Sequence, residues 1–244
     1  MLDRFSAQAD LYARYRLHYP PALYAWLLPR VTGRGRAWDC ATGNGQVAAV
    51  LARHFGHVEA TDISAAQLAH APALANVRYQ LSPAESTPFA AESFDLITVG
   101  QAVHWFAPEA FNQEAHRVLR PGGVLAEWGY DLATIGPDLD PLLREFHDDT
   151  LGPYWDAHRW HISERYARLP FPFAQVETLE LADERQLSAE WFLNYLRTWS
   201  SVVKYEQQHG RNPVEALAPE LTRLWGPGNR AVTFPVFGRL GRKE

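Results

Sequence analysis

Between residues 36 and about 130 the spacing of apolar positions keeps switching between two periods. The runs RAWDC (36–40), VEATD (58–62), VRYQL (77–81), FDLITVG (94–100) and GGVLAEWG (122–129) are short, apolar and bounded by turn residues, which predicts buried strands. Between them lie GQVAAVLARHF, SAAQLAHAP and PEAFNQEAHRVLR, whose apolar residues recur at helical spacing, as Val47, Val50, Leu51 and Phe55 do in the first. This alternation predicts crossover units feeding a mostly parallel sheet. Ser64 stands where it can cap the second helix, and Pro121, Gly122 and Gly123 are expected to end the third and turn the chain into the next strand. After Tyr130 the pattern changes to aromatic-rich helical stretches, roughly 138–168 and 188–225, separated by the strand AQVETLELA and closed by the strand AVTFPVFGRL. Trp155, Trp160, Trp191, Trp199 and Trp225 in this half predict a packed core, with a substrate wall as the alternative. Repeats and low-complexity linkers do not occur.

The segment WDCATGNG (38–45) runs a strand into Gly43-Asn44-Gly45 and then a helix, which places backbone N–H groups at the carboxyl edge of the sheet, where nucleotides bind in open α/β folds. GNGQVA also satisfies the loose dinucleotide pattern G-x-G-x-x-G/A, with Asp62 about 20 residues further on. Asp39 separates the readings. A carboxylate at the end of the first strand repels a pyrophosphate and attracts a ligand carrying an amino group and a sulfonium centre.

Read as D-x-A-x-G-x-G, residues 39–45 resemble the D/E-x-G-x-G-x-G motif of class I S-adenosylmethionine-dependent methyltransferases, with Ala41 at the family's first glycine. A methyl group is tolerable there provided Ala41 keeps a negative φ. The resemblance implies that Asp62, in EATDIS, accepts hydrogen bonds from both ribose hydroxyls and that Ile63 lies beside it; as a bare residue Asp62 reads equally as a cap of the helix beginning near Ser64. LSPAESTPF resembles the family's adenine loop, so Ala84 would offer its N–H to the ring and Glu85 would lie against the adenine edge or cap the next turn, while Pro83 replaces a frequent acidic or amide residue. FDLITVGQAVHWF and RVLRPGGVLAEW continue the match to about residue 130. FSAQADLYARYRLHYP, QAVHWF and YLRTWSSV are similar to methyltransferases of the trans-aconitate methyltransferase type and extend the likeness nearly end to end. The fold implied is α/β and Rossmann-like: seven strands, mostly parallel with the last antiparallel, helices on both faces, an N-terminal helical lid, and helical insertions after strand 5 and between strands 6 and 7. Residues 1–244 are expected to form one domain, divided into the lid (1–34), a cofactor-binding core (35–130) and substrate-side helices with the closing hairpin (131–244).

Composition narrows the partners. Apolar residues make up 47% of the 244 and charged residues 21%, the balance of a soluble globular chain. A net charge of −5 argues against a broad nucleic-acid surface. No run is long and apolar enough for a membrane span, Cys40 has no cysteine to pair with, and the first residues lack a secretory pattern, so a cytoplasmic location and a small-molecule partner are expected.

Methyl transfer from a sulfonium is an in-line displacement, so the protein has to align donor and nucleophile, exclude water and remove a proton where the acceptor carries one. A carboxylate acceptor needs a cation instead of a base, and Arg16, Arg159 and above all Arg197 are candidates. His104, after the fourth strand, is the candidate general base, or a hydrogen-bonded wall residue. Gly100 and Gln101 are expected to border the methionine portion of the donor, with Trp105 and Phe106 as apolar wall. Trp128, Tyr130, Arg197 and Trp199 are placed on the substrate side. Tyr12, Tyr15, Arg16 and Tyr19 recur at three- or four-residue steps and would share one helix face over the donor, Tyr15 and Arg16 reaching its carboxylate. The pairs His158/His161 and His54/His57 have helical or near-helical spacing without a cysteine or carboxylate cluster, and no metal is expected. An NAD-dependent oxidoreductase and a binding module without turnover are the competing readings.

Overall fold

The computed structural model describes residues 14–244, and Tyr12 lies outside the described residues. Seven strands form one sheet: β1 (Arg36–Cys40), β2 (His57–Asp62), β3 (Val77–Leu81), β4 (Phe94–Gly100), β5 (Leu119–Tyr130), β6 (Val176–Ser188) and β7 (Asn229–Arg242), in the order β3-β2-β1-β4-β5-β7-β6. β1 to β5 pair in parallel, and β7 is antiparallel to both its neighbours, so the expected architecture is the one observed. β1 and β4 are buried along nearly their whole length because helices cover both faces, which is why their sequences are apolar runs and not alternations.

Helices α1 (Pro21–Leu27), α2 (Gln46–Leu51), α3 (Ala65–Leu68) and α4 (Pro108–Val118) flank the parallel half. α2 and α3 are shorter than their apolar patterns suggest, and the Ser64 side chain accepts the N–H of Gln67 as the expected cap of α3. The Pro121-Gly122-Gly123 segment is not the boundary expected of it. α4 stops at Val118 and β5 has already begun, pairing Leu119 with Phe94 before the register jumps to Val124 opposite Leu96. Gly122, at φ +77°, sits in that bulge, its N–H donating to the Lys243 carbonyl.

The second half adds α5 (Asp140–Glu145), α6 (Trp160–Ser163), α7 (Ala189–Arg197), α8 (Ser200–His209) and α9 (Val214–Trp225). α5 and α6 come between β5 and β6, and α7 to α9 between β6 and β7. Phe192, Tyr195, Leu196, Trp199 and Trp225 pack there with Phe234 of β7, so most of the aromatic load is core. Part of it also reaches a cavity at the carboxyl edge of the sheet.

Candidate functional site

The strand-to-helix turn after β1 is held from three sides. The Asp39 carboxylate is 1% exposed and accepts the Thr42 hydroxyl, the Ala48 N–H (3.0 Å) and the Thr98 hydroxyl (2.9 Å). Burial raises its pKa to about 6 against the lowering effect of those three donors. These donors take up its oxygens, and Asp39 lines a smaller cleft with Arg16, Gly43 and Gly100 and no part of the main cavity, so the expected attraction for a cationic ligand, directly or through water, falls to that cleft. Ala41 also departs from expectation. Its φ is +54°, in the left-handed region, because the Thr42 N–H must turn back to the Thr61 carbonyl (2.9 Å). An alanine there costs about 1 kcal/mol or more relative to ordinary backbone. Gly45, at φ +80°, does not line the cavity either; a Cβ on it would stand 2.7 Å from the Tyr79 hydroxyl, so close packing against β3 requires the glycine.

Asp62 ends β2 and joins two loops, accepting the Gly43 N–H (2.8 Å) on one oxygen and the Ser64 N–H (2.9 Å) on the other. The two oxygens of a carboxylate are acceptors at the spacing of a vicinal diol. Asp62, Ile63, Ala41 and Gly43 line part of a cavity of about 790 Å³, together with Ala84 and Glu85 from the loop after β3. Glu85 also accepts the Ala107 N–H (3.0 Å), closing that wall. Gln67, which the sequence reading missed, lines the same cavity with both side-chain amide atoms buried and without a hydrogen-bond partner among the described residues. Its only sequence signal is a polar residue on the inward face of α3.

Gly100 ends β4 and Gln101 follows it, both on the cavity wall. Gln101 lies at φ +56° with its amide zipped to β5: Nε2 donates to the Tyr130 carbonyl (3.1 Å) and Oε1 accepts the Tyr130 N–H (2.7 Å). A Cβ at Gly100 would stand 3.0 Å from the Tyr19 hydroxyl, so the two pack directly.

Beyond the loops that follow β1 to β4, the cavity is lined by Trp155, Arg159, Tyr195 and Trp199, with His104 and Trp105, while Arg16 and Tyr130 line both this cavity and the smaller cleft shared by Gly43, Gly100 and Gln101. Arg16 lies over the Tyr130 ring (5.4 Å) and donates to Thr198 (3.5 Å). Arg159 lies over Trp155 (4.9 Å), 3.9 Å from the Asp131 carboxylate, with Nη1 buried and without a hydrogen-bond partner among the described residues. Burial, the largest influence, pulls its pKa down. His104 is 4% exposed, and burial reinforced by Arg159, His161, His158 and Arg16 lowers its pKa to about 3, so it is a neutral imidazole.

Three further expectations are corrected. Trp128 is fully buried against Tyr19 and away from the cavity, because its strand position points into the core. Arg197 faces outward, pairing with Glu215 (2.8 Å) and Asn194 (3.0 Å), one helical step away from the cavity-lining Tyr195 and Trp199. Tyr15 packs edge-on against Trp191 (6.1 Å) and lines no part of the cavity. Tyr195 was not anticipated; the i, i+4 spacing of Trp191, Tyr195 and Trp199 could have disclosed it. His158 and His161 stack with near-parallel rings, and no group of three metal-binding side chains occurs among the described residues. No described helix is long and apolar enough to cross a membrane.

Residues 38–126 match the family profile described as "Methyltransferase domain". A structure from Anaeromyxobacter dehalogenans, assigned as a type II methyltransferase, is 36% identical and superposes with a TM-score of 0.84 over 93% of this chain and 98% of that one. Methyltransferase ptaI of Pestalotiopsis fici is 32% identical across 85% of this chain and 82% of its own length. The fold is shared, at 17% identity and a TM-score of 0.53, with Haemonchus contortus phosphoethanolamine N-methyltransferase 2, solved with S-adenosyl-L-methionine; that match covers 98% of this chain and 57% of the other. With the 3-2-1-4-5-7-6 sheet and the ligand-sized cavity at its carboxyl edge, these likenesses establish that the chain belongs to the class I S-adenosylmethionine-dependent methyltransferase family.

Proposed function

We propose that this chain transfers the methyl group of S-adenosylmethionine to a carboxylate oxygen of a small organic acid, as its likeness to the trans-aconitate methyltransferase type implies. The observation that carries this reading is the make-up of the cavity wall: Gly43, Asp62, Ile63, Ala84 and Glu85 from the loops after β1 to β3, and Arg159 among the aromatic rings of Trp155, Tyr195 and Trp199. The first group suits the donor. The Asp62 oxygens accept the ribose hydroxyls, the Ala84 N–H and Glu85 edge meet the adenine, Gly100 and Gln101 border the methionine chain, and the orphaned Gln67 amide lies within the same wall. Carboxylates there also favour a cationic donor over a diphosphate. When bound, S-adenosylmethionine supplies an electrophilic methyl group. The chain's own residues align the acceptor and exclude water, and Arg159 neutralises the incoming carboxylate. In this reading the described residues of the lid segment (14–34) cover the donor, 35–130 hold it and 131–244 select the acceptor. Hydride transfer with NAD and binding without turnover are not favoured by the family assignment.

The test is calorimetric titration with S-adenosylhomocysteine, then a radiolabelled methyl screen over carboxylic acids, phenols and amines. Saturable product binding with transfer confined to carboxylic acids supports the reading. Binding of NAD in place of S-adenosylhomocysteine removes it.

A further inference from the structure

His104 belongs to the cavity wall, but what stands behind it decides its chemistry. Its Nδ1 lies 3.4 Å from the Tyr166 hydroxyl, and the two rings are nearly parallel with centroids 6.0 Å apart. Tyr166 is fully buried and does not line the cavity. Its hydroxyl has no other hydrogen-bond partner among the described residues. That hydroxyl remains protonated, since burial pushes its pKa above the ordinary tyrosine value. If Nδ1 carried the imidazole proton, the phenol hydrogen would be left buried with no acceptor, at a cost of about 1–3 kcal/mol. If instead the phenol donates to Nδ1, both groups are satisfied. The neutral ring then carries its proton on Nε2, the nitrogen left for the cavity.

The placement of Tyr166 is over-determined. Arg165 and Tyr166 both have left-handed backbone, at φ +53° and +61°. The Arg239 guanidinium pins this turn by donating from Nη1 to the Tyr166 and Leu169 carbonyls, each at 2.9 Å, while Nε donates to the fully buried Glu127 at 2.8 Å. Gly129 leaves room for the phenol, since a Cβ there would stand 3.0 Å from the Tyr166 oxygen. Strain retained and buttressed beside a cavity is the pattern of a positioned functional group.

We infer that Tyr166 is a positioning residue that fixes His104 as the Nε2–H tautomer, so that His104 donates a hydrogen bond to an acceptor oxygen that arrives already anionic and does not act as a general base. This rests on the proposed methyl transfer and specifies its acceptor. A carboxylate oxygen uses a lone pair to form the new O–C bond, the C–S electron pair stays on sulfur as a neutral thioether, and no proton leaves the acceptor. Hydroxyl and amine acceptors would need a proton removed, which a ring already protonated toward the cavity does not do. The groups acting on His104 are Arg159, His161, His158 and Arg16, all of which disfavour a charged ring, together with Tyr166.

The experiment is nitrogen-15 NMR of the histidine-labelled full chain, with and without S-adenosylhomocysteine, beside kinetics of Tyr166→Phe, His104→Gln and His104→Leu. The inference expects a pure Nε2–H spectrum for His104 from pH 6 to 8 and a tautomer mixture in Tyr166→Phe. With the acceptor found in the screen, wild-type turnover should not show a basic limb near neutrality. His104→Gln, which keeps an N–H donor, should lose less than about fivefold, and His104→Leu at least about twentyfold. An Nδ1–H spectrum, an unchanged spectrum in Tyr166→Phe, or loss equal in the Gln and Leu variants would overturn it. Absence of S-adenosylhomocysteine binding would instead remove the proposed function, because the tautomer is readable without any ligand.

Discussion

The two parts of the cavity wall are built differently. The donor part comes from consecutive loops between residues 39 and 107 and relies on backbone: Gly43 N–H held by Asp62, Ala107 N–H held by Glu85, Thr42 N–H returned to Thr61. The part proposed for the acceptor is assembled from residues 104, 155–159, 195, 199 and 200, which tertiary packing alone brings together, and it leaves Arg159 Nη1 buried with no hydrogen-bond partner among the described residues. A ligand common to many relatives can be met by backbone, which changes little with sequence. A ligand peculiar to one enzyme has to be met by side chains on insertions.

The largest expected effect tests the donor part. Asp62→Ala removes the ribose acceptor and releases both Gly43 and Ser64, so affinity for S-adenosylhomocysteine should fall by about 3 kcal/mol, roughly 100-fold, in calorimetry. Unchanged affinity would remove Asp62 from the site. In the acceptor part, Arg159→Met should lower kcat/KM for the acid acceptor by about 2 kcal/mol while leaving S-adenosylhomocysteine affinity within about twofold. Arg197→Met, with its guanidinium on the outer face, serves as the control and should change neither. If the two arginine variants behave alike, the division between the two parts fails.

Asp39 sharpens the comparison through pH. Burial raises its carboxyl from 3.8 to about 6, so between those values the folded chain holds a proton that the unfolded chain has released. The associated stability is present below the unfolded value and is lost as pH rises through about 6. Asp39→Asn should therefore gain stability relative to wild type, by on the order of 2 kcal/mol, as pH rises from 4 to 7 in paired denaturant titrations. A difference independent of pH would contradict a buried, ionising carboxyl. The smallest effect concerns Ala41. Replacing it with glycine relieves the left-handed backbone and should stabilise the chain by about 0.5–1 kcal/mol, with donor affinity little changed. Destabilisation would mean that the alanine methyl contributes packing that outweighs its strain.

Much of this was legible in the chain. Apolar runs and their punctuation located all seven strands, and local spacing located Asp62, Gly43, Ala84, Glu85 and Gln101 on one sheet edge, because residues that follow consecutive parallel strands must emerge together. Direction was harder. Trp128 and Arg197 sat in the right elements but on the wrong face, Tyr15 was taken by Trp191, and Gly45 served packing against Tyr79. A sequence gives the position of a side chain along an element, whereas the face it turns to a cavity depends on neighbours far along the chain.

The sequence by itself determined the sheet, the family and the donor loops, because strand periodicity and glycine turns are local and the parallel topology follows from them. Only the tertiary structure decided that Ala41 is left-handed, that Asp39 is enclosed by its own loop, that Arg159 and not Arg197 meets the cavity, and that Tyr166 stands behind His104. These outcomes depend on contacts such as Thr42 with Thr61, Thr98 with Asp39 and Tyr166 with His104, between separate strands and loops whose relative placement is set by the packing of the whole core and leaves no periodic trace in the chain.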